Sequence, residues 1–443
     1  RIYNEYPNSE YIARSARFIA ATYEAEEMYA EAEDWYGRAS QAVARTGEDL
    51  GEDFDQLAAA AAYRDAETLA ESEDTQSIVA AAQRFEESAR SHPGSDIAPN
   101  ALYDAGETYA RAGAIEDAIR VFTELADQYP QSELAPKGML RAAFLAREAG
   151  RYELAGDTYL ETYSRFPSAE NVGTALFSAA ISYEDAERME LAANVYDMMI
   201  NQQAGTAESM VHVYGKYGRY LHERGQISRA REMYQSCIDT YDQYRDGDVY
   251  YPAQSAFYLA EIAYEDYAAQ ETNAETAQLK TQLMQQVEQW YSKAISYRTD
   301  YYFMAACARA GELYEDYANA IAFMDPPPEI ADDPEAVDAF YNQLYTQFYE
   351  PKMQQAQTVY STAVEKAVNQ GIENEWVDRA VENLELLAPG ALEELGYVTE
   401  EQAAADTTEA GGPEGPDTEE TDGEAGEGFQ QQEDDQTGGE AGA

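Results

Sequence analysis

His212, Lys216, Arg219 and His222 recur at intervals of 3 and 4 and are followed by Glu223, which places them on one stripe of a predicted helix that begins near Val211. Imidazole, ammonium and guanidinium groups in such a row can hold a carboxylate through charge-assisted hydrogen bonds. A second stripe, on a helix starting near Pro136, carries Lys137, Leu140, Arg141, Phe144, Arg147 and Glu148; a third, near Ala13, carries Arg14 and Arg17. Phe144 and Phe177 add aromatic surface, so the predicted ligand chemistry is an acidic peptide or a free carboxylate. The alternative is internal: the same cations pair with acids of neighbouring helices. Helices near Leu176, Phe257 and Cys307 place Glu184, Asp185, Glu265, Asp266, Glu312, Glu315 and Asp316 at matching positions.

No catalytic constellation accompanies these stripes. The chain has no HExxH, GxSxG, phosphate-loop or GxGxxG pattern and only three histidines. Carboxylate pairs are too frequent for any one of them to mark an acid and base couple, which needs a water-excluded pocket. Asp242, Asp246, Gly247 and Asp248 approach a calcium loop, but Tyr244 and Ala253 occupy two positions that require oxygen donors, so a turn is expected there. Cys237 and Cys307 stand on separate segments without a CxxC pair and are expected as buried free thiols. The expectation is a protein that is not an enzyme, with no catalytic residues, no metal and no cofactor.

Charge narrows the partners. Against 85 acidic residues stand 29 basic ones, a net charge of −56. Nucleic acid is therefore not an expected partner, because phosphate binding draws on clustered Lys and Arg. Residues 399–443 hold 15 acids and no base, so the remainder still carries 29 − 70 = −41. Two explanations fit an acidity spread over the folded part: salt adaptation, or a cationic partner. No run of 18 apolar residues occurs, so no segment is predicted to span a membrane. The chain opens on Arg1 without Met, as expected of a processed or cloned fragment.

The elements that must position the stripes follow a period. His92-Pro93, Tyr129-Pro130 and Phe166-Pro167 are 37 residues apart twice over, a spacing typical of stacked supersecondary units. Between them apolar residues recur every 3 to 4 positions in two blocks, the pattern of a helical hairpin. Each proline ends a second helix, because its ring lacks an N–H and restricts the preceding residue. Small residues recur with the same period at Ala118, Ala155, Ala192 and Ala230, 37, 37 and 38 residues apart. They would let paired helices approach closely.

Leu102, Ala105, Gly106 and Tyr109, then Ala118, Phe122, Leu125 and Pro130, resemble the tetratricopeptide repeat family nearly position by position. The register recurs through Ala143, Ala155 and Tyr159; Ala180, Ala192 and Tyr196; Gly218, Ala230 and Tyr234; and upstream through Ala20, Ala32 and Tyr36. Tyr6-Pro7-Asn8-Ser9 and Tyr129-Pro130-Gln131-Ser132 resemble turns of bacterial envelope members, the outer-membrane-assembly lipoprotein and the Tol-Pal-associated division coordinator.

The resemblance implies an all-α, right-handed superhelical solenoid of antiparallel helix hairpins over residues 1–396, about eight in number. An insertion is expected around residues 325–334, where Pro326-Pro327-Pro328 should be extended, and residues 397–443 should form a disordered acidic tail. The implied function is a protein-interaction scaffold that binds peptide or helical segments in a concave groove lined by Arg14, Arg17, Lys137, Arg141, Phe144, Arg147, Phe177, His212, Lys216, Arg219 and His222. An envelope assembly factor and a homo-oligomeric spacer are the other readings. The implied location is periplasmic or envelope-associated, with the cytoplasm of a salt-adapted organism as alternative. The oligomeric state stays open.

Overall fold

The computed structural model describes residues 2–6, 9–48, 50–170 and 172–397, and those residues contain helices and no strand. Of the tail expected over residues 397–443, residues 398–443 lie outside them. After the short α1 (Ile2–Glu5) the helices come in pairs: α2 (Ile12–Ala25) with α3 (Tyr29–Thr46), α4 (Phe54–Ala70) with α5 (Thr75–Ser91), and α6 (Ala98–Arg111) with α7 (Ile115–Gln128). The series continues with α8 (Leu134–Glu148) and α9 (Tyr152–Arg165), α10 (Ala175–Asp185) and α11 (Met189–Gln202), then α12 (Ala207–Glu223) and α13 (Ile227–Tyr244). Next are α14 (Tyr250–Ala269) and α15 (Ala277–Ser296). Following α16 (Asp300–Ala322), an inserted arm consists of α17 (Pro334–Leu344) and a π-helix (Tyr345–Tyr349), and it runs into α18 (Glu350–Gln370), the packing partner of α16. Two more helices, α19 (Glu375–Leu387) and α20 (Ala391–Glu394), close the described chain.

Local chemistry repeats at the turns. Within hairpins, Gly113, Gly150 and Gly225 hold the left-handed conformation at φ 75°, 71° and 71°, and Glu27 and Glu187 hold it at 61° and 58°. In all five, the next residue's N–H reaches back to the carbonyl five residues earlier, as Ala114 to Tyr109 at 2.9 Å and Arg188 to Tyr183 at 2.8 Å, the C-terminal closure that a left-handed residue permits. Between hairpins, His92, Tyr129 and Phe166 share one conformation near φ −127°, ψ 55°. The hydroxyls of Ser95 and Ser132 then accept from the N–H of Ile97 and Leu134, both at 3.2 Å.

The core packs alanine against aromatic rings in a series of clusters along the stack. Ala118, Ala155, Ala192 and Ala230 are fully buried, with Phe122, Tyr196, Tyr234 and Tyr360 buried beside them. At four junctions the first helices of successive hairpins touch one another, α4 with α6, α6 with α8, α12 with α14 and α14 with α16, whereas contacts between successive second helices are marginal at most. The stack therefore bends with its first helices on the inside. One junction is looser than the rest: α11 meets α12 over much less surface than its equivalents. A cleft of about 580 Å³, lined by Gly173, Phe177, Gly205, Thr206 and Glu208, opens beside it.

Candidate functional site

The predicted stripes do lie on first helices, α2, α8, α10 and α12, and most of their cations are occupied. Arg14 binds Glu48 at 2.6 Å and Arg17 grips Glu52 with two nitrogens, both acids lying in the link to the next hairpin. Across hairpins, Arg141 meets Glu107 at 2.9 Å and Arg147 meets Asp185 at 2.8 Å. Glu184 collects His212 at 2.7 Å and Lys216 at 3.0 Å. Arg219 pairs within its own helix, with Glu223 at 2.7 Å. Lys137 is exposed and has no ion-pair partner among the described residues. The internal pairing weighed against an anion site is thus the arrangement present, and an acidic ligand would have to displace a carboxylate at nearly every position.

Some cations also lie over rings: Arg141 over Phe144 at 5.5 Å and Arg219 over Tyr258 at 5.4 Å. Phe144 is exposed. Phe177 meets the His212 ring edge-on at 5.4 Å. His222 is wedged between Tyr234 and Tyr258, and burial, together with the Arg219 charge, pulls its pKa below the usual imidazole value against the opposing pull of Glu265.

A rule missed in the sequence links these acids to the core. In five hairpins the hydroxyl of a second-helix tyrosine finds a polar partner on the first helix. Tyr36 donates to Glu24 at 2.6 Å, Tyr196 to Glu184, Tyr291 to Glu261, and Tyr360 to Glu315 at 2.5 Å; Tyr234 meets His222 at 3.3 Å. A buried hydroxyl without a partner would cost about 1–3 kcal/mol, so part of the inner-face acidity serves the core. The signal was available: Glu24 and Tyr36, Glu184 and Tyr196, and His222 and Tyr234 are each 12 residues apart.

Glu184 holds the loose junction together, because His212 and Lys216 reach it from α12 and Tyr196 from α11. Burial works against its charge, but the hydrogen bond and charge of His212, the Tyr196 hydroxyl and Lys216 outweigh it and hold its pKa below the usual carboxylate range. A folded-state pKa below the unfolded one supplies stability that is present above the unfolded value and lost as pH falls through the folded one. Glu184→Gln should therefore cost about 1–2 kcal/mol at neutral pH and flatten the acid side of the stability curve below about pH 4.5. Melting temperature against pH for both proteins checks this, and parallel curves would contradict it.

The inner face of the second half also carries an unbroken line of ring contacts. Phe177 touches His212, His212 touches Tyr251 at 4.7 Å, and Tyr251 touches Tyr250. The line runs on through Tyr302 and Phe257 to Trp376 of α19, with centroids 5.2 to 5.8 Å apart. Among the described residues Glu265 and Asp316 have no cation within ion-pair distance, although Asp316 accepts the Tyr264 hydroxyl, and burial, with Asp316 and Glu312 adding to it, holds Glu315 above the usual carboxylate range despite the Tyr360 hydrogen bond.

Other predicted positions have structural explanations. Asp242 is bound by Lys293, Tyr297 and Arg245, and Asp246 and Asp248 accept backbone N–H groups of the turn. Cys237 and Cys307 are buried free thiols, each pushed up to about 12 by burial. Among the described residues no group of His, Cys, Asp and Glu is arranged to hold a metal ion. No helix there is long and apolar enough to cross a membrane.

Residues 100–132, the hairpin of α6 and α7, match the family profile of the tetratricopeptide repeat. No curated protein matches the chain significantly in sequence. Among solved structures, MamA (residue 41 to the end) from Desulfovibrio magneticus is 17% identical over 42% of this chain and 96% of that chain, with a TM-score of 0.27. A tetratricopeptide repeat protein from Parabacteroides merdae is 16% identical over 74% of this chain and 98% of that chain, at a TM-score of 0.25. The C-terminal part of a repeat-containing protein from Cytophaga hutchinsonii is 15% identical over 66% of this chain and 98% of that chain, at 0.28. Scores this low carry no functional argument.

Proposed function

We propose that this tetratricopeptide-type ladder is a non-catalytic interaction scaffold that holds a peptide or helical segment of a partner protein along its inner face. The observation that supports it is the line of rings from Phe177 to Trp376 across four hairpins, in which Phe257 and Tyr302 are buried anchors while Phe177, Tyr250, Tyr251 and Trp376, with Tyr258 beside them, stay partly exposed. Aromatic side chains on rigid helices offer large contact area at low ordering cost. Arg141 with Phe144, His212 with Phe177, and Arg219 with Tyr258 are the proposed polar contacts, because in each a guanidinium or an imidazole lies against a ring.

Since the arginines and Lys216 are already paired, whereas Glu265 and Asp316 have no cation partner among the described residues, a neutral or basic segment suits this face better than an acidic one. Selection from a displayed random peptide library tests the proposal. Enriched peptides should bind with micromolar affinity, lose at least about tenfold on Tyr258→Ala with Trp376→Ala, and, where they are basic, tighten on Arg141→Glu with Arg219→Glu while circular dichroism is unchanged. If no peptide is enriched, or binding ignores both pairs of substitutions, the groove reading fails.

A further inference from the structure

The arm between α16 and α18 contains a feature that the ladder does not require. Residues 339–349, AFYNQLYTQFY, form eleven consecutive positions without a charge in a chain that is 26% charged. They also contain a four-residue repeat. Phe340, Leu344 and Phe348 make one row, Tyr341, Tyr345 and Tyr349 a second, and Gln343 and Gln347 a third. In an α-helix a step of four residues rotates a row by about 40°, and the wider turn of the π-helix at Tyr345–Tyr349 rotates it back. The rows therefore run nearly along the axis.

The first row is accounted for. Leu344 is buried, and with Phe348 it lines a cleft of about 420 Å³ against Tyr317, Ile321 and Met324. The tyrosine row is not: α17 barely touches α16, and Tyr341 and Tyr345 are 38% and 54% exposed. Tyr345 and Tyr349 stack on each other at 5.1 Å and 21°. Gln343 and Gln347 hydrogen-bond along the flank at 3.3 Å. Aromatic enrichment with charge depletion marks the centre of a protein interface.

We propose that the tyrosine row is the contact between two copies of this chain, arm against arm, antiparallel about a two-fold axis near Tyr345. Two copies with a net charge of −56 each repel wherever carboxylates meet, and this stretch is free of them. Tyr hydroxyls and Gln, Asn and Thr side chains both donate and accept, so an identical row is a complete partner for itself, as an isologous contact demands. The arm is about 24 Å long and about 10 Å wide, less than the roughly 800 Å² per partner of a standard interface. The dimer is accordingly weak, and salt that screens the repulsion strengthens it.

Sedimentation equilibrium of the whole chain at about 10 to 100 µM, in roughly 0.1 M and 2 M KCl, tests this. The expected result is a monomer–dimer equilibrium that tightens with salt and weakens at least tenfold in Tyr341→Glu with Tyr345→Glu, helicity being unchanged. Tyr345→Cys should form an interchain disulfide on mild oxidation, since the native thiols are buried. A chain monomeric under all these conditions, a dimer that survives the double substitution, or a Tyr345→Cys protein that does not cross-link each overturns the proposal.

Discussion

Gly311→Val is expected to cost about 3 kcal/mol or more, at or beyond the upper end of ordinary overpacking, and to unfold the last hairpins before the rest. A Cβ built at position 311 would fall onto the Tyr360 ring. That ring is fully buried, and its hydroxyl donates to Glu315 at 2.5 Å and accepts from Asn383 at 3.2 Å. It cannot swing aside without breaking both bonds. The same opposition recurs at Gly106 with Phe122, Gly156 with Tyr183 and Gly218 with Tyr234, where a Cβ would come within 2.6 Å of the ring. In a stack whose units touch only neighbours, the damage stays local, so thermal unfolding should split into two steps. Gly37→Ala is the control: it meets nothing within 4 Å and should gain up to about 1 kcal/mol from helix propensity. A valine variant that melts with the parent protein would contradict this glycine-against-ring packing.

Glu86→Ala should cost about 2–3 kcal/mol, less than the roughly 3–5 kcal/mol of breaking a fully buried pair, because its arginines still reach Glu124 and water. Glu86 is nearly buried on α5 and accepts from Arg120 of α7 at 2.8 and 3.1 Å, from Tyr109 of α6 at 3.1 Å, and from Arg90 of its own helix. Burial opposes its charge, yet Arg120 and Arg90 hold its pKa below the carboxylate norm. Its contribution is therefore complete above the unfolded pKa and fades as pH falls through the folded one. A double-mutant cycle with Arg120→Ala checks this: a coupling energy near zero would mean that the network does not join the two hairpins.

The carboxylates show how far sequence spacing could go. Glu24, Glu184 and His222 each precede their tyrosine by 12 residues, a regularity legible in the amino-acid order itself. The later pairs, Glu261 with Tyr291 and Glu315 with Tyr360, are spread to 30 and 45 residues by longer links and by the arm, and spacing alone cannot connect them. The cationic stripes show the opposite case. Their positions on the first helices were legible from the 3 and 4 intervals, but Glu107, Asp185 and Glu184 come from neighbouring hairpins. Whether a cation faces water or a carboxylate depends on which helix lies beside it.

What the amino-acid order determined by itself is the hairpin and its period. Helix periodicity, left-handed closures and aromatic-proline stops act within a few residues, and small-against-aromatic packing acts within one unit. What only the tertiary structure decided is the loose junction at Glu184, the neutralised stripes, the ring line from Phe177 to Trp376 and the exposed tyrosine row. Each depends on how successive units rotate against one another, and that rotation sums weak side-chain contacts between segments 30 to 50 or more residues apart, which no local spacing encodes.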